Sequence, residues 1–282
     1  MNDYLGMGKT NYAVWRPSEG NWYLDLISQP SVVTQWGEPG DVPAPGDYDG
    51  DGITDLAVWR PSDQVWYIIL SGSGQPIGVQ WGLPGDIPII GADYDGDGRT
   101  DLAIWRPSDG TWWVQFSSTG EVVVTQWGVP GDVPLVGDFN GDGKTDYVIW
   151  RPSEGNWYVK FSGSDQATVY QWGLPQDIPM PQDFDGDGIT DYAIWRPSDG
   201  NWWVKLSSTG DVIVAPWGLP GDIPVSGDFD GDGKADYAIW RPTEGNWYVT
   251  FSGNGTSTVH QWGMDGDIPN GEPVMSILNP QQ

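Results

Sequence analysis

Asp146-Tyr147-Val148-Ile149-Trp150-Arg151-Pro152-Ser153-Glu154-Gly155-Asn156-Trp157-Tyr158-Val159-Lys160-Phe161 reads as two strands joined by a tight turn. Aromatic and β-branched residues fill both flanks, and Pro-Ser-Glu-Gly supplies the turn, with glycine free to take a positive φ. Downstream, a polar glycine-bearing turn leads to a third strand, Thr168-Val169-Tyr170-Gln171-Trp172. Asp177-Ile178-Pro179-Met180 then starts a strand that feeds an aspartate-rich loop and the next unit. No segment carries a helical period of useful length.

This unit recurs. Trp-Arg-Pro begins at Trp15, Trp59, Trp105, Trp150, Trp195 and Trp240, at spacings of 44 to 46 residues. A second tryptophan follows each by seven residues, at Trp22, Trp66, Trp112, Trp157, Trp202 and Trp247. A Trp-Gly pair closes each unit, at Trp36, Trp81, Trp127, Trp172, Trp217 and Trp262. Four short strands per ~45 residues, repeated, is the pattern of a β-propeller blade, because a lone blade cannot bury both of its faces. The expected fold is therefore all-β: a six-bladed propeller of four-stranded blades forming a single domain over residues 1–282. The chain enters on the second strand of a blade near Asn11, and Ile268-Pro269-Asn270-Gly271-Glu272-Pro273-Val274-Met275 can supply the missing first strand. That pairing of the two ends would close the ring and remove a sheet edge. An open solenoid or a partial ring is the alternative.

Composition narrows the function. Net charge is −27, with 39 acidic and 12 basic residues. Such a field repels phosphate backbones and anionic lipid, so no nucleic-acid partner is expected, and no apolar run suggests membrane insertion. The 38% hydrophobic content and 20 tryptophans are ample for a packed core. Cysteine is absent, which excludes disulfides and thiolate chemistry.

The sharpest motif is Asp-x-Asp-Gly-Asp-Gly-x-x-Asp. It appears with Asp47, Asp49, Asp51 and Asp55; with Asp93, Asp95, Asp97 and Asp101; with Asp183, Asp185, Asp187 and Asp191; and with Asp228, Asp230, Asp232 and Asp236. One copy carries an amide: Asp138, Asn140, Asp142 and Asp146. Calcium takes six to eight oxygen ligands in a flexible shell, and alternate residues of a tight loop can supply them. The seventh residue would add its backbone carbonyl, from Ile53, Arg99, Lys144, Ile189 and Lys234. Without a cation, three or four crowded carboxylates would repel one another. About five Ca²⁺ per chain are expected, which would bring the net charge from −27 to −17. Magnesium suits such a caged loop less well. The first copy, Asp3 to Asn11, has Leu5 and Met7 at ligand positions and should hold no metal. The Asn140 loop has one negative ligand fewer and should empty first.

The Phe/Tyr-Asp-Gly-Asp-Gly wording followed by an apolar strand resembles FG-GAP/VCBS-type repeats. These build the propeller of integrin α-subunit heads and occur in bacterial extracellular proteins and some lectins. The resemblance covers nearly the whole chain. It implies a propeller with calcium in the hairpin loop between the first and second strands of a blade, and a binding or adhesion role. The tryptophan content, and repeats shorter than the integrin ones, are departures.

Six of the 12 basic residues are the arginines of Trp-Arg-Pro, and an aspartate precedes each Ile/Val-Pro, from Asp41 to Asp267. Arginine stacked on a neighbouring blade's indole and paired with that aspartate would lock blade to blade. Tryptophan, arginine and aspartate are also the residues of carbohydrate sites. The Trp-Gly tryptophans, on what should be the outer strand, are the better candidates for exposure and ligand binding. There is one histidine, His260, and no residue cluster breaks the repeat, so an enzyme is not expected. The first reading is a non-enzymatic, extracellular or cell-surface interaction scaffold with a protein or glycan ligand. A multivalent lectin is the alternative, and a glycoside hydrolase using two free aspartates stands behind both.

Overall fold

The computed structural model describes residues 2–26 and 29–269. Twenty-four strands among them form six four-stranded antiparallel sheets, with no helix. The sheets are the blades of a propeller. Blade 4 has the inner strand Val133–Leu135, then Tyr147–Arg151, Asn156–Lys160 and the outer strand Ala167–Gln171. Blade 1 is assembled from both ends of the chain. Its inner strand is Ile268–Pro269, paired antiparallel to Tyr12–Arg16, with Val14 opposite Pro269 and Trp15 opposite Ile268. The expected closure is therefore present through Pro269, and the rest of the expected strand, 270–275, lies outside the described residues.

Burial grades outward along each blade. In blade 4 the second strand is buried on both faces, the third alternates, and the outer strand is mostly exposed. The first two tryptophans of each unit face one another across the hairpin, as Trp150 does Trp157, and all twelve are at most 2% exposed. Truncating such a side chain to alanine typically costs about 3–5 kcal/mol. The core lies between blades: Trp105, Trp112 and Val114 of blade 3 pack with Tyr147 and Ile149 of blade 4. The ring closes in the same way, with Tyr12 and Val14 of blade 1 against Trp240, Trp247 and Val249 of blade 6.

In five of the six blades one glycine is dictated by a close approach. Gly155 has φ +69° and accepts from the Trp172 N–H, and a Cβ there would lie 2.5 Å from the Gly173 carbonyl oxygen. Blade 2 places Gln64 at this corner with φ 59°, a strained angle for a residue bearing Cβ. Gln64→Gly is expected to stabilise the protein by about 1 kcal/mol, read as a rise in denaturant midpoint.

Candidate metal centres

In blades 2 to 6 the aspartate loops join the inner strand to the second strand. In blade 2, the Asp47 carboxylate accepts from the backbone N–H of Gly50 at 2.6 Å and of Gly52 at 2.8 Å, which winds the loop around it. Asp55, fully buried, accepts from Tyr48 N–H at 2.8 Å and from Ser71 N–H at 2.6 Å. Ser71 belongs to the turn between the third and outer strands, so that turn and the loop share one rim of the propeller. The same bonds recur on Asp93 and Asp101, Asp183 and Asp191, and Asp228 and Asp236.

This winding brings three of the expected ligands together. One oxygen each from the first, third and ninth positions lie within 4.8 Å of one another in four loops: Asp47, Asp49 and Asp55; Asp93, Asp95 and Asp101; Asp183, Asp185 and Asp191; Asp228, Asp230 and Asp236. Two oxygens on one calcium can be no more than about 5 Å apart, twice the bond length. Asp49 Oδ1 is buried with no hydrogen-bond partner. The donor set therefore fits a hard divalent cation.

The fifth position is placed differently. Asp51 takes the Ser71 hydroxyl at 2.9 Å, and Asp97 and Asp187 take Ser117 and Ser207 likewise, outside the three-carboxylate clusters. At the seventh position, the N–H groups of Ile53, Arg99, Lys144, Ile189 and Lys234 donate to the fifth-position aspartate. In the remaining loop, Asp138 and Asp146 keep their backbone partners, while the Asn140 amide donates to Asp142 at 3.1 Å. The altered first copy is wound the same way: Gly8 N–H donates to Asp3, and Tyr4 N–H to Asn11.

Sequence reasoning missed how the loops touch. The eighth-position N–H of each loop donates to the first-position carbonyl of the loop before it: Thr54 to Asp3, Thr100 to Asp47, Thr145 to Asp93, Thr190 to Asp138, Ala235 to Asp183 and Thr10 to Asp228, at 2.6–2.8 Å. The six loops thus form a closed hydrogen-bonded ring around the mouth of the central channel, over a cavity of about 550 Å³. Threonine at five of the six eighth positions was the available signal.

Burial raises the carboxyls of Asp101, Asp146, Asp191 and Asp236 to about 6, against opposing backbone N–H bonds, and moves Asp55 in the same direction. The unfolded value is about 3.9. Between these values the folded metal-free protein keeps protons that the unfolded chain has lost, so its stability falls as pH rises through 6. In chelator, the melting temperature is expected to be higher at pH 5 than at pH 7. Saturating calcium, which needs the charged form, should reverse that order. Calorimetry at both pH values checks it.

On the opposite rim, Asp132 binds Arg151 through two hydrogen bonds of 2.7 and 2.9 Å, and the guanidinium lies 4.2 Å from the Tyr158 ring centroid. All three residues belong to blade 4. The arginine–aspartate pair therefore ties strands within a blade, in place of the expected lock between blades, because antiparallel pairing brings the start of the inner strand to the end of the second. Every blade repeats it, and in blade 1 the pair is Arg16 with Asp267.

The lock between blades is instead the Trp-Gly tryptophan. Trp36, Trp81, Trp127, Trp172, Trp217 and Trp262 are half-buried, and each donates its indole N–H to a third-strand carbonyl of the next blade, at 3.0–3.4 Å. Trp262 reaches Tyr23 and so helps close the ring. His260 lies at the same joint, its Nε2 2.6 Å from Asp25 and its ring stacked on Tyr12 at 4.3 Å.

The loop geometry has a family counterpart. A family model for the FG-GAP-like repeat matches residues 47–104, 93–149 and 183–239, more than half of the chain. The chain belongs to the FG-GAP-like repeat family. No curated protein matches it. Among solved structures, an Agrocybe aegerita lectin that recognises non-reducing terminal N-acetylglucosamine is similar at 15% identity, over 92% of this chain and 78% of that one, with a TM-score of 0.59. A catalytically inactive virginiamycin B lyase from Staphylococcus aureus matches at 9% identity over 94% and 88%, with a TM-score of 0.58. A chain of a nidogen–laminin complex matches at 10% identity over 89% and 93%, with a TM-score of 0.58. A sugar binder, an enzyme and a protein binder share this shape, so the likeness speaks for the fold alone. No helix among the described residues is long and apolar enough to cross a membrane.

Proposed function

We propose that this FG-GAP-like propeller is a calcium-loaded, non-enzymatic interaction scaffold that works at the cell surface or outside the cell. The observation that carries the reading is the convergence of three carboxylate oxygens within 4.8 Å in each of four loops. Like charges held that close oppose folding unless a cation joins them. Asp49 Oδ1, buried and unpaired, is a ligand atom waiting for such a partner. The Asn140 loop offers the same backbone winding with one carboxylate fewer and is the fifth site.

The rest of the molecule supports a scaffold role. The Trp-Arg-Pro arginines are tied to aspartates, the Trp-Gly indole N–H groups to neighbouring blades, and His260 to Asp25 and Tyr12. These groups serve the fold, which leaves rim loops and outer strands to meet a partner. The partner is a protein or a glycan, the classes met by the nidogen–laminin and lectin neighbours. Extracellular calcium in the millimolar range suits modules of this affinity class.

Metal analysis tests the central claim. In equilibrium dialysis against rising calcium, the bound ion is expected to level off close to five per chain. No calcium bound above that in the dialysate at saturation would overturn the reading. A glycan array probed in calcium then separates the partner classes, and a blank array leaves a protein as the partner.

A further inference from the structure

The seventh-position side chain of each loop lies over the loop before it, on the fourth-position glycine. A Cβ built on Gly50 would meet Arg99 Cγ at 2.9 Å; on Gly96, Lys144 Cγ at 3.2 Å; on Gly186, Lys234 Cγ at 3.2 Å; on Gly231, Lys9 Cε at 2.7 Å. Two glycines lie instead under isoleucine: Gly141 under Ile189 Cγ1 at 2.9 Å, and Gly6 under Ile53 Cγ1 at 3.0 Å. Only glycine leaves room for this crossing.

The charge of the cover follows the charge beneath it. The four loops with four aspartates lie under Arg99, Lys144, Lys234 and Lys9. The Asn140 loop, with three aspartates, lies under Ile189. The altered first loop, with no ligand set to balance, lies under Ile53. Four carboxylates with one cation, or three with none, both give a net charge of −3. The five metal-competent loops are therefore electrostatically alike once their neighbours are counted.

Basic residues are scarce enough for this placement to stand out. Of the 12 in the chain, six are the Trp-Arg-Pro arginines, and four of the other six are these covers. Lys9 belongs to the loop that has lost its ligands, yet its side chain lies over Gly231 of the blade 6 loop. The altered loop thus still serves its neighbour, giving it Lys9 and the Thr10 N–H that bonds to Asp228.

We propose that the seventh-position side chain sets the calcium affinity of the preceding loop and so evens out the five sites. This rests on the calcium reading above. A tethered cation opposes entry of Ca²⁺, and its aliphatic stem, seated on glycine, fixes where that charge sits. An isoleucine in the same place imposes no such penalty. The Asn140 loop, short of one carboxylate, is spared the cation that its four counterparts carry, so it does not empty first.

Calcium-binding isotherms by chelator competition test this on the full chain. The unaltered protein is expected to show one class of five sites. Replacing Lys9, Arg99, Lys144 and Lys234 together with methionine keeps the stems and removes the charges. Four sites should then tighten, by roughly twofold to tenfold each for a unit charge within a Debye length of a divalent ion. Ile189→Lys should weaken one site by a similar factor. If the fourfold variant fails to fold, Ile189→Lys carries the test, with a melting curve in calcium showing that it is folded. An unaltered protein that binds no calcium overturns the functional reading itself. One that binds calcium, but whose isotherm is unmoved by the fourfold substitution or by Ile189→Lys, overturns this inference alone. So does one site that lies well apart from the other four in the unaltered protein.

Discussion

Exhaustive chelation is expected to lower the melting temperature by about 10 °C or more, and millimolar calcium to restore it. A ligand that binds only the folded state stabilises by about 2.7 kcal/mol per independent site at a hundredfold excess over Kd. Extracellular calcium modules bind at about 10⁻⁴ to 10⁻³ M, so millimolar calcium fills most of the sites without reaching that excess. Even about 1 kcal/mol at each of five sites gives about 5 kcal/mol, and in a chain of this size each kcal/mol moves the melting temperature by about 2–4 °C. The metal-free protein should remain folded at room temperature. Its loops are wound by backbone N–H groups on the first and ninth residues, and the first copy keeps that winding with Asp3 and Asn11 and no ligand set. The ring of eighth-position N–H to first-position carbonyl bonds should keep the transition a single step, because no loop can open without losing contact with two others. A melting temperature unmoved by chelator, in protein shown to have released its calcium, would mean that the carboxylate clusters cost nothing when empty.

The blades were legible in the sequence because each strand type is set by a local pattern. Trp150 and Trp157, seven residues apart around a Pro-Ser-Glu-Gly turn, can only face each other across a hairpin. The loops were legible because nine contiguous residues carry the whole ligand pattern. What could not be read was contact between repeats. The tryptophan after each outer strand reads equally well as a sugar platform or as a staple, and only the position of the next blade's carbonyl decides that Trp127 reaches Tyr158. The arginine–aspartate pair was expected between blades, but Asp132 and Arg151 open and close the first hairpin of one blade, and antiparallel pairing puts those ends together. The match between Arg99 and Gly50 spans a whole repeat. It becomes visible only when the loops are known to overlap around the channel.

A chain ending at Gly266 is expected to be less stable than one ending at Pro269 by about 4 kcal/mol, a fall of about 10 °C in melting temperature. The three residues between these ends supply blade 1 with its inner strand. Asp267, 5% exposed, holds Arg16 through bonds of 2.7 and 2.9 Å, and Ile268 and Pro269 pair with Trp15 and Val14. Removing one partner of a buried ion pair costs about 3–5 kcal/mol. Arg16 keeps some solvent contact and its place 4.1 Å from the Tyr23 ring centroid, so the lower end applies. Loss of the half-buried Ile268 side chain adds about 1 kcal/mol, and the bared edge of Tyr12–Arg16 adds an unpaired strand at the channel wall. Asp267→Asn in the full chain, which keeps the shape and removes the charge, should recover about half of the effect. The ring itself should survive, since Tyr12 and Val14 still pack on Trp240 and Trp247, and Trp262 still bonds to Tyr23. Comparing the two chain ends in calcium isolates these three residues from everything beyond them. Equal melting temperatures would mean that the packed joint between blades 6 and 1 closes the ring unaided, and that the shared blade contributes nothing to it.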